Sequence, residues 1–165
     1  MRALPVFILL AALTNLAAAA EEKKIDISTI VTKTDAEKIL GEPVSDARIR
    51  NMDGQDGYYS KCNYSSVNPG KSLILRLYRA AAGAPGPRKQ FEMLKNGGIA
   101  LKPVEGLGDK AGVFSGASET GPSKGIMLYV VRGNAFVTVG VGGVLDEVAA
   151  LDKAKGIARK ILAKF

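Results

Sequence analysis

The stretch VEGLGDKAGVFSG, residues 104–116, contains paired glycines that allow two opposite interpretations. The choice between a nucleotide-binding turn and a simple turn before a strand decides the fold. A dinucleotide-binding fingerprint needs a buried strand before it and a helix after it, whose N-terminus holds the pyrophosphate. Here Val113 and Phe114 favour a strand, and Gly112 and Gly116 would weaken a helix. We therefore predict a tight turn that leads into a strand, without a nucleotide site.

A second partial match to a phosphate-binding motif is Gly70-Lys71-Ser72, which resembles the end of a Walker A loop. The first glycine of that pattern would fall at Ser65, and the residues after Ser72 alternate as in a strand rather than a helix. We interpret this segment as a hairpin turn.

Alternating apolar residues predict several strands joined by short turns. The clearest is KSLILRLYRA, residues 71–80, in which Leu73, Leu75 and Leu77 point to one face. Residues 58–66 alternate well enough to predict a strand, and ARIRNM is a weak strand candidate. The segments on either side of Gly133-Asn134 form a predicted hairpin. Short connections of this kind favour an antiparallel sheet.

Three helices are predicted around these strands. The first carries a capping box in which Thr34 caps and Glu37 reaches back, and Gly41 ends it. The second begins at Pro87. The last occupies the C-terminus, with acidic residues in its first turn and basic residues toward its end, as the helix dipole favours. Its predicted apolar stripe is Val144, Val148, Leu151, Ala154, Ala158, Ile161 and Phe165.

The order helix, strands, helix, strands, helix predicts an α+β fold. We expect an antiparallel sheet with helices packed on one face. The chain divides into two coarsely similar halves, each a helix followed by strands. The pattern leaves open whether they share one sheet or form two.

Residues 1–20 have the pattern of a secretory signal peptide. Arg2 precedes an apolar run, and the segment ends in small residues with an A-x-A site at Ala18-Ala19-Ala20. We expect removal of residues 1–20, a single domain over residues 21–165, and a periplasmic or secreted location. No other long apolar run follows, so no membrane span is expected.

Charge and composition limit the binding partners and the catalytic mechanisms that the sequence allows. The chain has 23 basic and 16 acidic residues and a net charge of +7, which favours anionic envelope components or acidic proteins over nucleic acid as partners, although it can also serve solubility alone. Histidine is absent, which excludes Ser-His-Asp and Cys-His catalysis and histidine metal sites. We expect no cofactor and no metal.

Cys62 is the single cysteine, so no disulfide can form within the chain. A lone cysteine in a strand is typically a buried small apolar residue, and pairing with a second chain is the alternative.

The candidate binding surface consists of side chains predicted to lie on the sheet. Tyr59 and Lys61 share a face of one strand, Arg76 and Tyr78 share a face of the next, and Tyr129 lies on a third. If these faces coincide, they form an aromatic and basic surface for a sugar, an anionic headgroup or an acidic protein. The alternative is that they are the hydrated face of an antiparallel sheet.

We therefore expect a non-catalytic binding domain. One alternative is a hydrolase of envelope glycan that uses Asp109 or Glu105 as acid or base, since glycosidases need two carboxylates. Asp53 and Asp56 also lie in turns, where aspartate is common without any catalytic role. Another alternative is a structural or inhibitory partner of a second exported protein.

Several short motifs together resemble a family of bacterial secreted or lipid-anchored domains. They are the A-x-x-I-L-G helix, the strand SKCNYS, the GLGDKA turn, and the terminal hairpin and helix. The resemblance covers most of residues 21–165 and implies a fold and an extracytoplasmic location, without catalytic residues. Many such proteins carry a lipid-attachment cysteine, which this sequence lacks.

Overall fold

The structure, a computed structural model, describes residues 24–117, 124–143 and 145–165. The proposed signal peptide lies outside the described residues. Across these ranges the chain forms one antiparallel sheet of seven strands and four helices, which confirms the α+β prediction. In chain order the elements are α1 (Ile27–Ile30), α2 (Lys33–Leu40), β1 (Arg48–Gly54), β2 (Gly57–Ser65), β3 (Ser72–Ala80), α3 (Pro87–Asn96), β4 (Lys102–Pro103), β5 (Lys110–Ala117), β6 (Lys124–Arg132), β7 (Ala135–Gly142) and α4 (Glu147–Leu162).

The two halves share one sheet. The strand order is β1-β2-β3-β7-β6-β5-β4, so the meander β1-β2-β3 meets the meander β5-β6-β7 where β3 pairs with β7. The predicted hairpin at Gly133-Asn134 joins β6 to β7. The weak candidate ARIRNM belongs to β1, which forms one edge of the sheet.

One face of the sheet, called here the first face, carries the main core. Leu73, Leu75 and Leu77 point there from β3, as the alternation predicted, and Val137 and Val139 join them from β7. Residues of α1, α2 and α4 cover this face. Burial of these aliphatic side chains stabilises the fold by roughly 1.5–3 kcal/mol for each one.

The second face carries a smaller core under α3. Phe91 of α3 packs with Tyr78, Val131 and Phe136, which alternate with the residues of the first face. The expectation that all helices pack on one face therefore fails for α3. The reason is that β3 and β7 present large apolar side chains on both faces at this end of the sheet, and each set needs a cover. Each half contributes a three-stranded meander, but the second half adds β4, and α2 and α3 lie on different faces of the sheet.

Two helix details differ from the sequence interpretation. The capping box of α2 joins Thr32 to Asp35 rather than Thr34 to Glu37, while Gly41 ends the helix at a φ of 73° as expected. In α4, Asp146 is the N-cap. Val148 is 72% exposed, so it does not belong to the buried face as the predicted stripe required. Val144 lies outside the described residues. The buried face of α4 consists of Ala150, Ala154, Ile157, Ala158, Ile161 and Leu162.

The glycine pair of residues 104–116 forms a turn that leads into β5. Gly106 and Gly108 adopt φ values of 69° and 64°, and β5 begins at Lys110. The chain therefore runs extended where a nucleotide site would need a helix N-terminus, which confirms the predicted turn. Lys71 likewise precedes β3, and its Nζ donates to the carbonyl oxygen of Leu40 at 2.9 Å.

Within the described ranges, no helix is both long enough and apolar enough to cross a membrane.

Candidate functional site

Three cationic residues form a row across the second face of the sheet. Arg50 of β1 lies opposite Lys61 of β2, and Lys61 lies opposite Arg76 of β3. The same line continues through Thr138 of β7 to Tyr129 of β6. Neighbouring strands are about 4.8 Å apart, so successive positions in this row are close neighbours. Arg50, Lys61 and Arg76 are called the basic row below.

The basic row is not neutralised by the part of the chain that the structure describes. No described carboxylate lies within ion-pair distance of these three side chains, nor of Arg48, which shares their face one step along β1. Elsewhere, pairs such as Lys33 with Asp46 at 2.8 Å do form. Like charges directly opposite each other on adjacent strands destabilise a sheet. The row is thus a concentration of positive charge that the described structure leaves open to solvent.

Tyr129 lies at the far end of this line. Its ring stacks on Phe136 with centroids 6.1 Å apart. Burial raises the pKa of Tyr129, while the charge of Arg76 acts in the opposite direction. The phenol is therefore neutral at physiological pH and half-buried, with its position fixed by packing.

Tyr59 and Tyr78 lie on the same face but belong to the core under α3. Their rings are 4.8 Å apart, and the buried Tyr78 donates its hydroxyl to the backbone oxygen of Asp56 at 2.8 Å. Tyr59 donates to the Asp56 carboxylate at 2.5 Å, and burial, assisted by that carboxylate, raises its pKa to about 12. The structure thus groups all five predicted residues on one face, but these two tyrosines are engaged in packing.

Sequence reasoning missed Arg48 and Arg50. They lie in the strand ARIRNM, whose alternation is weak because all seven residues of β1 are exposed. Their basic side chains at alternate positions were the available signal, and only the pairing with β2 places them beside Lys61.

A groove of about 650 Å³ adjoins the basic row on the second face. Ile74, Phe114 and Met127 line it, and Gly140 forms part of its floor. Phe114 is 36% exposed. The open part of this face therefore combines cations on β1–β3 with apolar side chains on β3, β5 and β6.

The two carboxylates of the hydrolase alternative line a common cleft of about 370 Å³ beside the glycine turn. Asp109 accepts a hydrogen bond from the Gly133 N–H at 2.8 Å, which ties the turn to the β6–β7 hairpin. Glu105 lies on the same cleft. The other turn aspartates lie elsewhere, with Asp53 paired to Lys24 and Asp56 bonded to Tyr59.

Cys62 lies in the main core and is fully buried, as the strand pattern predicted. Burial raises the pKa of its thiol, which disfavours the reactive thiolate.

In the described ranges, no three cysteine or carboxylate side chains come together in a way that could hold a metal ion. No protein-family model matches the chain, and no curated protein matches it either. The resemblance to secreted or lipid-anchored bacterial domains therefore stays a prediction.

Proposed function

We propose that this protein is an exported, non-catalytic binding domain that holds an acidic glycan of the cell envelope along the basic row. The observation that carries the proposal is the row itself, three cations on adjacent strands without a carboxylate partner among the described residues. Opposed like charges cost folding free energy, on the order of a few tenths of a kcal/mol for each pair, and a bound anion offsets that cost. The leader-like residues 1–20 support the envelope location.

A chain-like ligand fits the surroundings of the row better than a flat one. α3 stands on the same face, packed on the neighbouring row that contains Tyr78 and Phe136. A helix is about 10 Å across, so α3 forms a step that would hold a planar bilayer away from Arg76. A polysaccharide can lie along the foot of this step. Tyr129 offers it a half-exposed aromatic ring with a polar end.

The test compares two double variants of equal net charge. Lys61→Gln with Arg76→Gln removes two members of the row, whereas Lys38→Gln with Lys164→Gln removes two exposed lysines elsewhere. Each lost charge-assisted contact costs about 1.4 kcal/mol or somewhat more, so we expect at least about tenfold weaker binding for the first variant. Binding is measured by retention on immobilised polygalacturonate, with uncharged dextran as reference.

The control variant is expected to bind polygalacturonate nearly as well as the wild type. An equal loss of binding in both variants would show that binding depends only on net charge, and this would contradict the proposal. Vesicles that contain anionic lipid serve as a second probe. Binding to these vesicles without binding to the polysaccharide would assign the row to a lipid headgroup instead.

The glycan hydrolase is the second candidate, because Glu105 and Asp109 line one cleft. Under the binding proposal, the purified protein releases no reducing ends from envelope glycan. Release that disappears in the Glu105→Gln, Asp109→Asn variant would establish the hydrolase. The third class, a partner of another exported protein, predicts instead a stoichiometric protein partner that co-purifies through the basic row.

A further inference from the structure

The two edges of the sheet differ in how they are protected. The edge strand β4 has two residues, and one of them, Pro103, has no N–H to donate. The opposite edge strand, β1, has seven exposed residues and pairs with β2 without a bulge. Proteins usually shorten, bulge or cover such edges, since a free edge can accept another strand. Among the described strands, β1 therefore presents the longest edge without a neighbouring strand.

The backbone of β1 has a defined set of outward-facing groups. Gly54 and Gly57 flank a two-residue turn, so they are the hydrogen-bonded pair that closes the hairpin. Because the ladder alternates, the N–H and C=O groups of Ile49, Asn51 and Asp53 point away from β2. None of these three residues makes a backbone hydrogen bond to another described segment.

We propose that β1 pairs antiparallel with β1 of a second copy of this chain, with the two-fold axis at Asn51. In this register Asn51 faces Asn51 of the second copy, and Ile49 faces Asp53 of the second copy. All three outward-facing residues are then paired in both chains. The two seven-stranded sheets become one continuous sheet.

This register pairs all three outward-facing residues of each copy, and the charges of β1 favour it over the register centred on Arg50. Arg50 lies opposite Met52 of the second copy, and Arg48 lies opposite Gly54, so no like charges face each other. A register centred on Arg50 would place it against Arg50 of the second copy and would lose one of the three outward pairs. Charged residues on an edge strand usually discourage pairing, and here the arginines disfavour the register centred on Arg50.

The pairing brings the basic rows of two copies onto one continuous face. The argument rests on the edge geometry of β1 and does not depend on the glycan proposal. The interface is a single strand pair, well below the standard interface size, so we expect a weak dimer.

The test is sedimentation velocity of the purified protein produced from its complete gene. The concentration series extends from about 10 μM to about 1 mM, the range in which a small interface assembles. Ile49→Pro removes one outward-facing N–H, a position where an edge strand tolerates proline. Ile49→Thr is its matched control. Met52→Arg places a cation opposite Arg50 of the second copy.

We expect the mass of the wild type and of Ile49→Thr to double along the series, whereas Ile49→Pro and Met52→Arg stay monomeric with unchanged circular dichroism. A wild type that stays monomeric throughout, or an Ile49→Pro variant that dimerises like its control, overturns the proposal. The Lys61→Gln, Arg76→Gln variant should still dimerise. Loss of glycan binding and loss of dimerisation are thus separate results.

Discussion

At the scale of single residues, two glycines of one turn have different roles. A Cβ on Gly108 would lie 2.5 Å from the carbonyl oxygen of Val131, and the φ of Gly108 is 64°. Gly106 has a φ of 69° with no atom within 4 Å of such a Cβ. The Asp109 N–H also donates to the Val131 oxygen at 2.7 Å. Gly108 is therefore needed for a close backbone approach, and Gly106 only for its left-handed conformation.

Alanine substitutions should separate these two roles. Gly106→Ala should cost about 1 kcal/mol of unfolding free energy, since only left-handed strain is added. Gly108→Ala should cost about 3 kcal/mol or more, because β6 must also move. Urea denaturation of both variants measures the difference. Equal losses would show that the approach to Val131 does not limit this position.

At the scale of elements, the start of α2 depends on one of two threonines. Thr32 and Thr34 both precede helix-forming residues, but the Asp35 side chain accepts hydrogen bonds from the N–H of Thr32 at 2.8 Å and from its hydroxyl at 2.9 Å. Burial raises the pKa of Asp35, but its bonds with Lys160 and Thr32 outweigh this and lower it below the ordinary value of 3.8. The ionised carboxylate therefore stabilises the fold above that pH, and its contribution is lost as the pH falls below it.

Removal of the two hydroxyls should have unequal effects. Thr32→Ala should lower the unfolding free energy by about 1 kcal/mol at pH 7, the usual value of an N-cap. Thr34→Ala should change it by less than about 0.5 kcal/mol, as for an ordinary surface position. The deficit of Thr32→Ala should shrink as the pH falls below 3.8, where Asp35 becomes protonated. Thermal unfolding across this pH range measures both effects. A larger loss of stability in Thr34→Ala would indicate that Thr34 is the N-cap, as the sequence analysis predicted.

At the scale of the whole molecule, the sheet separates two cores of different size. The first face holds most buried residues, and α3 covers only one end of the second face. The rest of that face is left to the basic row and the groove beside it. The position of α3 thus sets the boundary between the packed part and the open part of the second face.

The smaller core should depend on one aromatic side chain. Phe91 is 3% exposed, and the ammonium group of Lys110 lies 5.1 Å from its ring centroid. Phe91→Ala should therefore lower the unfolding free energy by about 3 kcal/mol. Met93, 62% exposed on the same helix, provides the control, and Met93→Ala should have nearly no effect. Chemical denaturation measures both, and a small loss for Phe91→Ala would contradict the second core.

The sequence by itself determined the local features. The alternation in KSLILRLYRA set which side chains of β3 point to the core, and the glycines of residues 104–116 set a turn before β5. It also placed Lys61 and Arg76 away from the main core, because period-two alternation is a property of the strand alone.

Only the tertiary structure decided the strand neighbours. β3 pairs with β7, more than fifty residues further along the chain, and β1 brings Arg50 beside Lys61. It also decided that α3 covers Tyr59 and Tyr78 while Arg76 stays exposed. Such pairings depend on how whole faces bury one another. The side chains of one strand do not specify which other strand will pair with it.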